Sequence, residues 1–473
     1  MKHPLSRLTR RSKLAITAVA VVALSGCANM KPAIQPKDAS PARWSAPLPA
    51  TDRTAELERW WESQSEPELS SLIEDAQRVS PSIAAAQARI EQAKAQQAQA
   101  LSSLLPQLSA NASASKTKSA LYSPTLTQAQ AGVQMNWELS LASLRGAYRM
   151  DARAQLDSAQ AKWHDARILV AAEVAGLYHK ARACKQQLSL LEADAASRNE
   201  SERLTRLSYE AGMSASTALA TARANAADVR AQLRQQQAAC EIDIKGLVAM
   251  TGRNEADLKA TLAPALAREG TPTPFAISAI PAQTLAQRPD VLVAERDVLQ
   301  AQARLMQAES ERLPRLSLEG FIGRGHYVIS GLNRNEPTWT FGPLAVSVPL
   351  FDAGKRAAQQ QAAESDLKAY VVAYQASVRQ AVREVEEALV QLDATEQRWL
   401  ESRIAAEQAN AILAANRYLL QQGMVSQLQF EDIQRQAHTA DMSAIALDLE
   451  RQRAWITLYR AVGGGFKPLN SEA

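Results

Sequence analysis

The sequence predicts a membrane protein of the α+β class in which one unit, two strands followed by a very long helical hairpin, is used twice. Motifs recur at a nearly constant separation, and short runs of strict apolar–polar alternation come in pairs. Long segments, such as Ser143 to Ala211, contain no proline.

Residues 1–26 form a secretory address. Lys2, Arg7, Arg10, Arg11 and Lys13 precede an apolar stretch from Leu14 to Leu24, a signal-peptide pattern too short to span a bilayer as a helix. The stretch closes on Leu24-Ser25-Gly26-Cys27, which resembles the bacterial lipobox, where the cysteine thiol receives a diacylglycerol and the chain is cut before it. Cys27 is therefore the expected lipidation site, its covalent lipid the one expected addition, and no cofactor is implied. The alternative is an ordinary signal peptide with an incidental cysteine. In lipoproteins an Asp after the cysteine suggests inner-membrane retention; Ala28 stands here and points to the outer membrane. Cleavage removes five cations and no acid, taking the formal charge from +4 to −1. The basic balance thus belongs to the signal and argues for no nucleic-acid partner. Three acyl chains would bury enough methylene to hold the chain on outer-membrane lipid. Residues 27–52, with Pro32, Pro36, Pro41, Pro47 and Pro49, read as an extended lipidated tether.

Self-comparison divides the remainder. Pro81 and Pro289 are 208 residues apart, as are Pro106 and Pro314. Gly212-Met213 and Gly423-Met424 are 211 apart, as are Gly252 and Gly463. A register that drifts by so little over a whole unit marks a duplication. Repeat 1 covers 53–269 and repeat 2 covers 281–466; a linker at 270–280 joins them and a tail at 467–473 follows.

Each repeat has a helix between two prolines, begun by Ser80 in the first and by the Arg288 segment in the second. Two alternating runs follow. In repeat 1, Leu108, Ala110, Ala112 and Ala114 share a face, as do Ala131, Val133, Met135, Trp137 and Leu139. In repeat 2 the runs are Leu316, Leu318, Gly320 and Ile322, then Leu344, Val346, Val348 and Leu350. Period two means strands with one apolar face. The small polar residues between them suit a wet lumen, and a half-buried soluble sheet is the alternative with the same period. Tyr122, Trp137, Tyr327, Trp339 and Phe341, near strand ends, suit an interfacial aromatic girdle.

The run from Ser143 to Ala211 would reach roughly 100 Å as a helix. Val170, Val174, Leu177, Ala181, Cys184, Leu188, Leu191 and Ala195 step along it by four and three, a coiled-coil seam. A turn at Gly212 sends a second helix back to about Met250. Repeat 2 does the same from Ala353 to Gln422, turns at Gly423 and returns to about Ala461. Its seam carries Val378, Val382, Val385, Leu389 and Leu392.

Four strands cannot close a membrane barrel, because open edges in lipid leave backbone groups unpaired and about eight strands is the usual minimum. Several chains must contribute. Arg288-Pro289-Asp290-Val291-Leu292-Val293-Ala294-Glu295, Val348-Pro349-Leu350-Phe351-Asp352-Ala353-Gly354-Lys355-Arg356 and Leu458-Tyr459-Arg460-Ala461-Val462-Gly463-Gly464-Gly465-Phe466 look like the signature segments of the TolC-like outer-membrane factors, in their NodT-like lipoprotein branch paired with RND efflux pumps. The resemblance covers nearly all of the exported chain. It implies a homotrimer with a twelve-stranded transmembrane β-barrel, four strands per chain, continued by a long α-helical coiled-coil barrel in the periplasm. It also implies two partners, a periplasmic adaptor (membrane fusion) protein and an inner-membrane RND transporter, which supplies the energy while the channel only conducts. Repeat 1 departs from the family pattern at its strand-to-helix corner. Where relatives resemble Trp-Glu-Leu-Asp-Leu-Phe-Gly, this chain has Trp137-Glu138-Leu139-Ser140-Leu141-Ala142-Ser143, so a different corner is expected.

The resemblance places the turns at Gly212 and Gly423 at the periplasmic constriction. By its spacing from Gly423, Asp432 matches the family's acidic tip residue, with Glu431 and Arg435 beside it. Asp432 either lines or locks the constriction, or is a solvated helix carboxylate paired with Arg435, worth a few tenths of a kcal/mol. Val425 stands where another acidic tip residue is common, which weakens the case for a double acidic ring. Cys184 and Cys240 each lie 28 residues from Gly212, so an antiparallel hairpin puts them at one height. In an oxidising compartment this predicts a disulfide; two small buried thiols are the alternative. Repeat 2 has Thr395 and Arg451 at the corresponding positions, which confines any staple to the first hairpin.

Enzyme chemistry is not legible. His164, His179, His326 and His438 form no i, i+4 metal pair. The glycines at 323–325 and 463–465 lack a strand-to-helix phosphate context, and no nucleophile elbow or Walker-type loop occurs. Two other classes compete with the efflux channel. One is a structural coiled-coil lipoprotein or periplasmic adaptor, but an adaptor needs a single hairpin in a lipoyl-like β domain. The other is the outer-membrane duct of a protein secretion system; the lipobox and RND-type motifs favour small molecules instead.

Overall fold

The computed structural model describes residues 44–46, 66–119, 122–139, 142–266, 285, 288–329 and 332–465. Cys27, the signal at 1–26, most of the tether, the linker at 270–280, the tail at 467–473 and the corner residues Ser140 and Leu141 lie outside the described residues.

In chain order the elements are α1 (Pro67–Val79), α2 (Pro81–Ser102), β1 (Gln107–Ser119), β2 (Tyr122–Glu138), α3 (Ala142–Glu210), α4 (Ser216–Thr251), α5 (Glu255–Leu266), α6 (Pro289–Ser310), β3 (Arg315–Ile329), β4 (Leu332–Ser347), α7 (Lys355–Gln421) and α8 (Gln427–Ala461). They divide between two compact units. Arg89–Ala159 and Val293–Gln375 belong to one; Gln160–Leu292 and Ala376–Ala473, with Ala39–Ala88, belong to the other. None of the described helices is long and apolar enough to cross a membrane.

The first unit holds one antiparallel sheet in the order β1-β2-β3-β4. The two repeats meet inside it, where Leu126 pairs with Ile329 and Glu138 with Ser317. Register turns the period-two pattern into a continuous face. Leu108, Met135, Gly320 and Phe341 form one row across it, and Ala110, Val133, Ile322 and Trp339 the next. Large apolar groups on this face are open, with Ile322 at 67 %, Trp339 at 73 % and Phe341 at 76 % exposure. The opposite face carries Asn111, which donates to Gln134 Oε1 at 3.1 Å. β1 and β4 are the free edges.

Two expectations fail in this unit. Val348 and Leu350 do not extend the last strand, which stops at Ser347. Pro349 has no N–H to give a ladder, and Asp352 begins a helix start instead, accepting from the backbone N–H of Gly354 at 3.1 Å and of Arg356 at 3.2 Å. Tyr327 does not join an apolar girdle either. It pairs with Gln128 and so lies on the polar face.

In the second unit the seams are buried in part, with Leu177, Leu188, Leu191 and Val382 only half-buried. Val170, Val174, Ala181 and Cys184 on α3, and Val378, Val385, Leu389 and Leu392 on α7, are each at most 5 % exposed. Two short helices, α1 and α5, were not separable in the sequence. α1 buries Leu69, Leu72, Ile73 and Ala76 completely and precedes the first repeated proline. Ser80 starts α2 as expected, its Oγ accepting from the Ile83 N–H at 3.4 Å.

Candidate functional site

The two hairpin turns are built alike. Gly212 has φ +72° and Gly423 φ +69°. Met213 N–H donates to the Ser208 carbonyl at 2.8 Å, and Met424 N–H to the Leu419 carbonyl at 2.9 Å. These are Schellman endings, and their left-handed residue must carry no Cβ to be free of strain. The helices that leave the turns differ. Ser426 and Gln429 form a reciprocal capping box, whereas Ala215, at the equivalent place, gives no side-chain cap. Such a cap is worth about 1 kcal/mol. Its signal in the sequence is Ser426-x-x-Gln429 before an apolar run.

The acidic residues after Gly423 separate by role. Asp432 is 66 % exposed and pairs with Arg435 one turn on. Glu431 is 4 % exposed and reaches another helix: Ser197 Oγ of α3 donates to it, as does Gln427 Nε2 at 2.7 Å. Burial, with Arg198 beside it, pulls the Arg435 guanidinium below its usual value, while Asp194 and Glu431 oppose this. Phe430, Leu413 and Ala437 pack beneath as a small apolar core. A groove of about 430 Å³ runs between Ser208 and Ser214 at the first turn and Asp432 and Arg435 on α8. The first hairpin has Ala220, Thr221 and Ala224 where the second has Glu431, Asp432 and Arg435.

Further along the hairpins, Cys184 and Cys240 are joined, with Cα atoms 5.6 Å apart. Repeat 2 fills the same register by other means. Arg451 is 2 % exposed. Its guanidinium lies 3.9 Å from the centre of the Trp399 ring and pairs with Asp448 at 3.0 Å and Glu396 at 3.6 Å. A desolvated cation–π contact of this kind is worth about 2 kcal/mol. Burial pushes the Asp448 carboxyl up, and Arg451 opposes it.

The first and third signature segments meet at one node of the second unit. Arg288, 5 % exposed, holds Asp290 with two nitrogens at 2.9 and 2.7 Å and reaches Glu384 at 2.6 Å. It also donates to the Ala461 carbonyl at 2.7 Å, satisfying the end of α8. Gly463, at φ +82°, lies so close that an added Cβ would sit 3.0 Å from Arg288 Cα. One motif thus clamps the other. The profile of the family described as outer membrane efflux protein matches residues 72–253 and 280–464.

The chain belongs to the outer membrane efflux protein family. Its similarity to individual members spans nearly their whole length. It is 27 % identical to the pyoverdine export outer membrane protein OpmQ of Pseudomonas putida over 91 % of this chain and 93 % of that protein. It is 25 % identical to nodulation protein T of Rhizobium leguminosarum bv. trifolii over 94 % and 96 %. Among solved structures, the outer-membrane channel OprN aligns with a TM-score of 0.78 at 23 % identity, covering 92 % of this chain and 99 % of that one. VceC of Vibrio cholerae aligns at 0.72 and 22 %, covering 88 % and 100 %. The fold of this efflux protein is thus that of the outer-membrane channels, and its place is the outer membrane.

Proposed function

We propose that this outer-membrane efflux protein is the exit channel of a tripartite RND-type pump, carrying small molecules passively from an adaptor and inner-membrane transporter to the outside. The observation that carries the reading is the four-stranded sheet with an exposed apolar face and two unpaired edges. Neither edge is tolerable in hydrocarbon. Three copies pairing β4 of one with β1 of the next would close a twelve-stranded barrel, apolar outside and polar within. The family resemblance implies that the long helical hairpins continue the conduit in the periplasm.

The turns at Gly212 and Gly423 supply its constriction in this reading. Glu431 ties the second hairpin to the first through Ser197, while Asp432 and Arg435 border the groove. The Cys184–Cys240 bridge keeps the first hairpin rigid, and the second hairpin is the moving part. Cys27 carries the lipid that holds the amino end at the outer membrane.

The test is two-fold. Outer-membrane fractions should contain a heat-modifiable trimer, and deletion of the gene should raise susceptibility across a compound panel when the cognate pump is expressed. A species migrating as a monomer with and without heating, or unaltered susceptibility, refutes the reading.

A further inference from the structure

The apolar face of the sheet changes character towards the strand-to-strand turns. Beyond the Ala110–Val133–Ile322–Trp339 row come Ala112–Ala131–Arg324–Pro337, then Ala114–Ala129–His326–Asn335, then Lys116–Thr127–Val328–Asn333. Four alanines floor a shallow recess of about 630 Å³ flanked by Arg324 and His326. His326 is fixed by a 2.6 Å hydrogen bond between Nδ1 and Asn335 Oδ1. Arg324 has no ion-pair partner among the described residues. The carboxylates of the described strands, Glu138, Glu319 and Glu336, pair across to Ser317, Asn136 and Gly325 and so belong to the other face. Lys116, Arg324 and His326 therefore lie on a face without an acid among the described strands.

Depth gives the patch meaning. All four strands meet their helices at the same end, so the turns between strands are the external end. Arg324 lies eight residues beyond Leu316 on β3. At about 3.4 Å per residue and a tilt of about 40° this is ~20 Å of depth, close to the height of an outer-membrane apolar band. A cation is costly at the middle of that band and nearly free at its rim. Arg324 thus sits at the external rim, one row outside Trp339. There a guanidinium and an ammonium meet lipid headgroups, and the alanine recess, level with Arg324 and His326, leaves room for a headgroup without a side chain in the way.

We propose that Arg324, His326 and Lys116, with the alanine recess, form a docking site on the outward face for a phosphate-bearing lipid of the outer leaflet. Arg324 offers paired N–H donors to phosphate oxygens, Lys116 adds a point charge, and the recess between them seats the headgroup. The inference rests on the reading that the apolar face meets lipid.

Native mass spectrometry of the full chain in detergent, titrated with diphosphoryl lipid A and with its dephosphorylated form, tests it. The diphosphoryl lipid should bind at least about tenfold more tightly (about 1.4 kcal/mol). Arg324→Ser combined with Lys116→Ser should remove that preference, and Arg324→Lys alone should keep most of it. Each variant is first checked for heat-modifiable migration, which a variant confined to the outward face should retain. Equal affinity for the two lipids, an unchanged preference in the double variant, or displacement by millimolar inorganic phosphate overturns the lipid site while leaving the channel reading intact. A wild-type chain that never assembles into a heat-modifiable species overturns both.

Discussion

Removing the Glu431 carboxylate tests the division of labour between the two hairpins. Glu431 is 4 % exposed and Ser197 5 % exposed, and their hydrogen bond links α8 to α3 across 234 residues of sequence. The Gln427 bond stays within α8 and adds nothing between hairpins. A hydrogen bond to a charged acceptor is worth about 1.5–3 kcal/mol. Glu431→Ala should therefore shift the closed-to-open ratio of the tip by about 10- to 150-fold per chain. Single-channel conductance in planar bilayers should rise, and cells should become sensitive to a large antibiotic otherwise kept out. Ser197→Ala should act in the same direction. Combined with Glu431→Ala it should add little, leaving a coupling energy of about the same 1.5–3 kcal/mol. Asp432→Asn should do almost nothing, because an exposed i, i+3 pair with Arg435 contributes about 0.3–0.5 kcal/mol. The reasoning is refuted if Asp432→Asn opens the channel and Glu431→Ala does not, or if the Ser197 and Glu431 effects simply add.

Arg288→Met should cost about 1–3 kcal/mol, mostly because it leaves the buried Ala461 carbonyl without its donor, Asp290 and Glu384 being partly solvated; a fall in unfolding temperature would register it. Reduction of the Cys184–Cys240 bridge, or Cys184→Ser with Cys240→Ser, releases a loop with a sequence separation of 56, worth about 4 kcal/mol on the chain-entropy account, and should lower thermal stability with export retained. Burial, aided by Arg182 and Arg451, pushes the His179 imidazole down to about 3 from its ordinary 6.5. A depressed folded-state pKa means that the unfolded chain takes up the proton first. His179's contribution is thus fully present above 6.5 and is lost as pH falls towards 3. At about pH 5 the loss should be about 2 kcal/mol, and His179→Gln should flatten the change in unfolding temperature between pH 7.5 and 5.

Features set by short-range backbone physics could be read from the chain alone. The seams, the strand faces and both turns depend on side-chain period and on where a left-handed residue is allowed, and these are local properties. The height match of Cys184 and Cys240 was legible for the same reason, since a turn at Gly212 and a constant rise per residue fix which positions face each other. What the tertiary structure alone decided is which neighbour each polar group finds. Glu431 and Asp432 are adjacent and chemically alike, yet one is buried against Ser197 and the other is exposed beside Arg435. Arg451, a charge that local pattern assigns to a solvated face, fills the place of a cysteine between Trp399, Asp448 and Glu396. Tyr327 takes the polar face because β2 sets its register, and β4 stops at Ser347 because Pro349 cannot continue a ladder. Burial and pairing of this kind are fixed by helices and strands tens to hundreds of residues away, and no local period carries that information.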